Sequence, residues 1–247
     1  MRKLLSYVRR CVEDFGMIEE GDRIAVGVSG GKDSLGTLWA LATMKRFYPK
    51  SYEVAAVTVD MGFENTDLSP VKRFCESLEV PLTIVETQIG EIIFDIRKEE
   101  NPCSLCAKLR RGGVNNAAAG LGCNKVALGH HFDDAVETFL MSLIFEGRIS
   151  CFQPVTWLDR TEITVIRPLL YTPESLISRA AAELALPVVE SCCPANGYTK
   201  RQEVKELLAE LRKTYPDLKN KVFGAMCRHP LKGWERTGRT DLPDFSE

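Results

Sequence analysis

The most constraining feature of this chain is a short β-branched run that ends in a glycine turn and continues as a helix. Arg23–Val28 (RIAVGV) has the composition of a buried strand, and Ser29-Gly30-Gly31-Lys32-Asp33-Ser34 supplies the turn. Helical spacing then runs from about Lys32 to Tyr48. A strand feeding a helix through so tight a turn sends the chain back over a sheet, where the next strand enters parallel.

The pattern continues downstream. Glu53–Val59, Leu82–Glu86, Lys125–Leu128 and Thr164–Ile166 read as further strands, and Asp67–Leu78, Asn115–Leu121, Asp133–Phe145 and Pro173–Ala185 as helices. This alternation predicts an α/β fold with a doubly wound parallel sheet and a helical C-terminal extension. Residues 1–22 are expected to form an N-terminal helix, with Leu4, Leu5, Val8, Cys11, Val12 and Phe15 on one stripe. Residues 23–198 are expected to hold the nucleotide-binding and catalytic domain, and residues 199–247 the extension.

Composition narrows the function classes. The chain is 45% hydrophobic and 27% charged, which suits a packed globular protein and not a disordered one. No apolar run approaches the roughly 18–20 residues of a membrane span. Charges interleave the first twenty residues, so no signal-peptide core is seen and a cytoplasmic location without membrane attachment is expected. In that reducing setting, the nine cysteines are better suited to be ligands, catalysts or core residues than disulfides. A net charge of −2 excludes a globally basic nucleic-acid binder. Between Tyr198 and Arg239, however, eleven Lys/Arg stand against five Asp/Glu. That surplus fits either a tail that docks on phosphates or a solvated helix face.

Three motifs carry chemistry. In the first, paired glycines let backbone N–H groups curl around an anion at a helix N-terminus. Ser29 and Ser34 offer hydroxyls there, and Lys32 offers charge. The spacing is neither that of a Walker A loop nor that of a dinucleotide fingerprint. In the second, Cys103-Ser104-Leu105-Cys106 presents two thiols that can converge on one metal centre, and Cys192-Cys193-Pro194 offers a third. In the third, Gly129-His130-His131-Phe132-Asp133-Asp134 joins a strand to a helix. Asp133 and Asp134 either complement the helix dipole or act on a metal or a substrate proton, with Gly129 and His130 near a nucleotide. Arg110, Arg111 and Arg167 are candidate phosphate ligands for ATP or a substrate backbone, or else surface ion-pair partners.

SGGKDS after a hydrophobic strand resembles the PP-loop of the N-type ATP pyrophosphatases. CSLCAKLRRG, LGHHFDDAVET and IRPLL, in that order, resemble the tRNA 2-thiocytidine synthetase group within that superfamily. The likeness runs from about Arg23 to Leu208. It implies ATP as substrate, cleaved between the α- and β-phosphates, with Lys32 and Asp33 catalytic and Asp33 holding Mg²⁺. It places Asp60 near adenosine, at the end of the second strand. It also implies a [4Fe–4S] cluster on Cys103, Cys106 and Cys193, with Cys192 the alternative third ligand. Cys11, Cys75, Cys123, Cys151 and Cys227 are expected to be core or incidental residues. The implied partners are tRNA and a sulfur donor such as a cysteine desulfurase, with a homodimer as the assembly. Alternatives on the same residues are an adenylating or sulfur-transfer enzyme with a non-tRNA substrate, and a nucleotide- and redox-sensing binding protein. The chain lacks the terminal zinc-binding cysteine pairs of the 2-thiouridine branch.

Overall fold

The computed structural model describes residues 1–63, 66–97, 102–189, 200–237, 241–243 and 245. Among the described residues, six strands form one sheet: β1 (Asp22–Gly27), β2 (Tyr52–Asp60), β3 (Leu82–Glu86), β4 (Lys125–Ala127), β5 (Val155–Leu158) and β6 (Ile163–Ile166). Their order is β3-β2-β1-β4-β6-β5. The chain winds outward from β1 through β2 to β3, then returns to lay β4 on the other side of β1. Ile24 of β1 therefore stands between Val54 of β2 and Lys125 of β4. The reversal makes β1 and β4 the switch point, the place where open α/β sheets leave a crevice at their carboxyl ends.

Five strands are parallel, as expected, and the sixth is not. β5 runs antiparallel along β6, with Val155 opposite Ile166 and Leu158 opposite Ile163. Only residues 159–162 join the two strands. A parallel pair needs a crossover of a dozen or more residues, so a link this short closes a hairpin.

The helices are α1 (Arg2–Asp14), α2 (Lys32–Met44), α3 (Ser69–Ser77), α4 (the single turn Ile89–Glu91), α5 (Pro102–Gly120), α6 (Phe132–Glu146), α7 (Glu174–Glu183), α8 (Lys200–Thr214) and α9 (Leu218–Arg228). A π-helical turn at Ile92–Ile96 follows α4. Strand residues alternate between two cores. Ile24 and Val26 face the larger one, with α1, α2 and the C-terminal helices, whereas Ala25 faces the side covered by α5. Val204, Leu208, Phe223 and Trp234 are in the same cluster as Leu4, Val8 and Leu35, so α1, α8 and α9 share the core of the sheet domain.

Helix α5 is far longer than the Asn115–Leu121 expected from periodicity, because Gly112 and Gly113 lower helix propensity at its centre. Packing explains the second glycine. A Cβ on Gly113 would approach Val59 Cγ2 to 3.2 Å, so its absence lets α5 lie close on β2. The Cys-x-x-Cys motif consequently falls within the first turns of a helix that crosses the sheet from the carboxyl edge of β2.

Candidate active site

The SGGKDS turn leaves β1 at the switch point. Gly30 has φ +83°, the left-handed region that glycine adopts at little cost. Ser34 holds the loop: its hydroxyl accepts from Ser29 N–H at 3.1 Å and donates to the Gly31 carbonyl at 2.9 Å. Among the described residues, no acceptor takes the N–H groups of Gly30, Gly31 or Lys32. Those donors, at the open N-terminus of α2, form an anion cradle. Ser29 is exposed and its hydroxyl donates to that of Ser34 at 3.3 Å, while the Ser34 hydroxyl is committed to the loop. Val189 closes one side of the turn, donating its N–H to the Gly30 carbonyl at 3.0 Å.

The second motif leaves β4 beside the first. Gly129 is in contact with the SGGKDS backbone: a Cβ there would stand 2.9 Å from Asp33 C and 3.0 Å from Ser34 N. His131 follows as the N-cap of α6 and forms a capping box with Asp134. Its Nδ1 accepts from Asp134 N–H at 3.3 Å, which assigns the proton to Nε2. That nitrogen lies 3.3 Å from Asp134 Oδ2 and 3.9 Å from Asp33 Oδ1. The buried imidazole thus bridges the acids of the two loops.

Charges close the site. Lys32 Nζ donates to both oxygens of Asp33, at 2.9 and 3.1 Å, and to Glu174 Oε1 at 3.0 Å. Burial pulls the Lys32 pKa down, but the two carboxylates outweigh it and hold it above the usual value. Asp133 accepts from Glu174 N–H at 2.7 Å and from Lys219 at 2.6 Å. Asp134 accepts from Arg201 at 2.9 Å. Glu137, one turn further along α6 and fully buried, accepts from Arg201 at 3.1 Å and has Lys205 at 3.8 Å. Burial nevertheless pushes the Glu137 carboxyl upward against both cations.

This bears on the basic surplus of the C-terminal segment. Arg201, Lys205 and Lys219 turn inward on Asp134, Glu137, Glu174 and Asp133, so a substantial part of that surplus neutralises acids beside the two loops. Sequence reasoning did not include His131, Glu174, Arg201, Lys205 or Lys219 in the site. Only His131 carried a local signal, its place beside His130.

His130 and Arg167 meet at one aromatic ring. The His130 ring is 4.9 Å from that of Phe152, and the Arg167 guanidinium sits 4.9 Å over the same Phe152 ring. Burial, reinforced by the Arg167 charge, lowers the His130 pKa to about 4, so its ring is neutral at physiological pH. Arg167 is buried and donates to the Gln153 carbonyl and to Thr156 Oγ1, whereas Arg110 and Arg111 are exposed.

Asp60 ends β2 at the same carboxyl edge, where its side chain accepts from Gly62 N–H at 2.9 Å. Cys103 is exposed on the first turn of α5. Cys106, one turn on, packs with Ile89, Ile93 and Val59, which places the pair near the end of β2. Cys103 forms no disulfide among the described residues. Two thiols one helical turn apart share a face and suit iron. Cys192 and Cys193 lie outside the described residues. Cys11, Cys75, Cys123 and Cys227 are buried core residues, as expected, and burial raises the Cys151 thiol to about 12.

A model of the PP-loop domain matches residues 3–208. The chain belongs to the PP-loop family. Among its relatives, a tRNA-cytidine(32) 2-sulfurtransferase of Pelobacter propionicus is 40% identical over 233 residues, 93% of this chain and 87% of the relative. One from Geobacter sulfurreducens is 40% identical over 228 residues, 91% and 89% of the two chains. The PP-loop fold here also superposes on the U34-tRNA thiolase NcsA of Methanococcus maripaludis, solved with its [4Fe-4S] cluster. That match has a TM-score of 0.73 and 25% identity, and covers 90% of this chain and 76% of the thiolase. Among the described residues, no helix is long and apolar enough to cross a membrane.

Proposed function

We propose that this chain is an ATP-dependent tRNA thiolase that replaces the C2 oxygen of a cytidine with sulfur, at the position, 32, that its relatives' names give. The observation that carries the reading is one of placement. The PP-loop, the GHHFDD turn and the Cys103–Cys106 pair all stand at the carboxyl edge of the strands β1, β4 and β2. An anion cradle and a pair of metal-binding thiols on one edge match a reaction that activates an oxygen and then exchanges it for sulfur.

In the first step the base's carbonyl oxygen attacks the α-phosphorus of ATP and pyrophosphate departs. The N–H groups of Gly30 and Gly31 and the Lys32 ammonium take up phosphate charge, which is transition-state stabilisation by preorganised donors. Asp33 is the carboxylate suited to Mg²⁺: it is partly exposed beside the cradle, and its other partners are Lys32 and His131. We assign Asp60 to adenosine, and Gly129 and His130 to the nucleotide side. Asp133 and Asp134 hold Lys219 and Arg201 against the GHHFDD turn. In the second step sulfide adds to the activated carbon and AMP leaves with the former carbonyl oxygen.

Cys103, Cys106 and Cys193 are the residues that would hold a [4Fe–4S] cluster. Bound there, the cluster would supply an iron site for sulfur beside the activated base. The exposed guanidiniums of Arg110 and Arg111 suit tRNA phosphates. A cysteine desulfurase is the sulfur donor we expect, and a homodimer the assembly.

The test is anaerobic purification with iron and sulfide analysis, then incubation with ATP, a sulfur source and unmodified tRNA. The reading requires about four irons per chain, RNA-dependent pyrophosphate release, and 2-thiocytidine in the digested tRNA by mass spectrometry. A metal-free protein, or pyrophosphate release indifferent to RNA, would count against it.

A further inference from the structure

Lys32 is the cation that the phosphates need, yet its long side chain is flexible and its sequence neighbour Asp33 competes for it. The structure holds it from the far side. Glu174 opens α7 directly after Pro173, with its Oε1 3.0 Å from Lys32 Nζ. The backbone of Glu174 is fixed by α6, since its N–H donates to Asp133 Oδ2 at 2.7 Å. Its other carboxylate oxygen is fixed by α8, through Lys205 at 3.3 Å. Burial would raise this carboxyl, but the hydrogen bond and charge of Lys32 and the charge of Lys205 bring it down to about 2. The α7 N-terminus adds a favourable dipole.

We propose that Glu174 is the positioning residue of the PP-loop lysine, sharing the Lys32 ammonium with Asp33 and holding it beside the phosphate cradle. The proposal rests on the ATP-using reading above. When Asp33 is engaged by Mg²⁺, Glu174 is the carboxylate left to orient Lys32. Without Glu174, Asp33 is the one carboxylate left to Lys32 of the two it now contacts, which draws the ammonium from the phosphates and the carboxylate from the metal. The anchoring of Glu174 by Asp133 also gives the GHHFDD turn a path to the PP-loop that runs through no reacting atom.

The experiment compares Glu174→Gln with the wild type in the full chain. Glutamine keeps the shape and removes the charge. The dissociation constant for ATP is measured by calorimetry across a Mg²⁺ series, alongside melting temperature and turnover. A charge-assisted hydrogen bond of this kind predicts ATP affinity lowered about tenfold. The half-saturating Mg²⁺ concentration rises with it, because Lys32 then pairs with Asp33 with no second carboxylate to share it, and a merely structural role would not move that readout. Lys205→Met, which frees the second oxygen of Glu174, shifts both quantities in the same direction by less, and it serves if Glu174→Gln does not fold. A folded variant with unchanged ATP affinity and unchanged Mg²⁺ dependence overturns the proposal. A wild type that neither binds ATP nor releases pyrophosphate overturns the ATP reading itself, and the proposal with it.

Discussion

Gly129 packs directly on the backbone of Asp33, so closely that a single added Cβ would stand 2.9 Å from the Asp33 carbonyl carbon. Two loops separated by nearly a hundred residues of chain share one surface because β1 and β4 are sheet neighbours. The PP-loop therefore has its shape set from outside as well as by its own glycines.

Gly129→Ala should displace the PP-loop, since backbone cannot yield as a flexible side-chain tip does. The expected cost is on the order of 1–3 kcal/mol of stability, as for overpacking. ATP affinity should fall more steeply than the melting temperature suggests, measured by calorimetry and thermal denaturation on the same samples.

His130 should remain neutral down to about pH 4, because burial disfavours its charged form. The unfolded chain takes up that proton near the ordinary value of about 6.5. Between the two values the unfolded state binds more protons, so stability is fully present above the upper one and is lost as pH falls through the lower. Histidine resonances followed by NMR against pH will show this directly, with only three histidines to assign. A His130→Gln variant should flatten the stability slope over that window.

Arg201→Met removes a guanidinium shared by Asp134 and the fully buried Glu137. Breaking a buried pair from one side costs about 3–5 kcal/mol, and the partial exposure of Arg201 places this case at the lower end. Adding Glu137→Gln should recover part of the loss, because the orphaned charge is what destabilises. Chemical denaturation of the two single variants and the double variant closes the cycle.

Cys103→Ala should abolish iron–sulfur absorbance and leave both ATP affinity and melting temperature near the wild type, since Cys103 is exposed. Cys106→Ala should lose the absorbance as well, with a drop in melting temperature, because it packs with Ile89 and Ile93. A full cluster spectrum in either variant would remove that cysteine from the ligand set.

Arg110→Glu should weaken tRNA binding and leave ATP binding unchanged. Losing one phosphate contact lowers the slope of log affinity against log salt by about one. Filter binding across a salt series gives that slope.

The motifs and the strand–helix alternation were legible because they rest on local chemistry. A β-branched run, a pair of glycines and apolar residues at helical spacing each act over a few residues, and five of the six strands follow from them. Helix α5 was read only in its alanine-rich half, since the packing that offsets Gly113 lies on another strand.

What the sequence by itself determined was the parallel sheet, the phosphate-binding turn and the thiol pair. The tertiary structure decided which charges meet. Lys32 and Glu174 are 142 residues apart, and Arg201 and Glu137 are 64 apart. In the sequence, Arg201 and Lys205 are simply part of a basic tail. They become site residues because α8 packs on α6, where a buried carboxylate must be met by a cation. Local periodicity records which face of a helix is apolar, but not which helix will cover it.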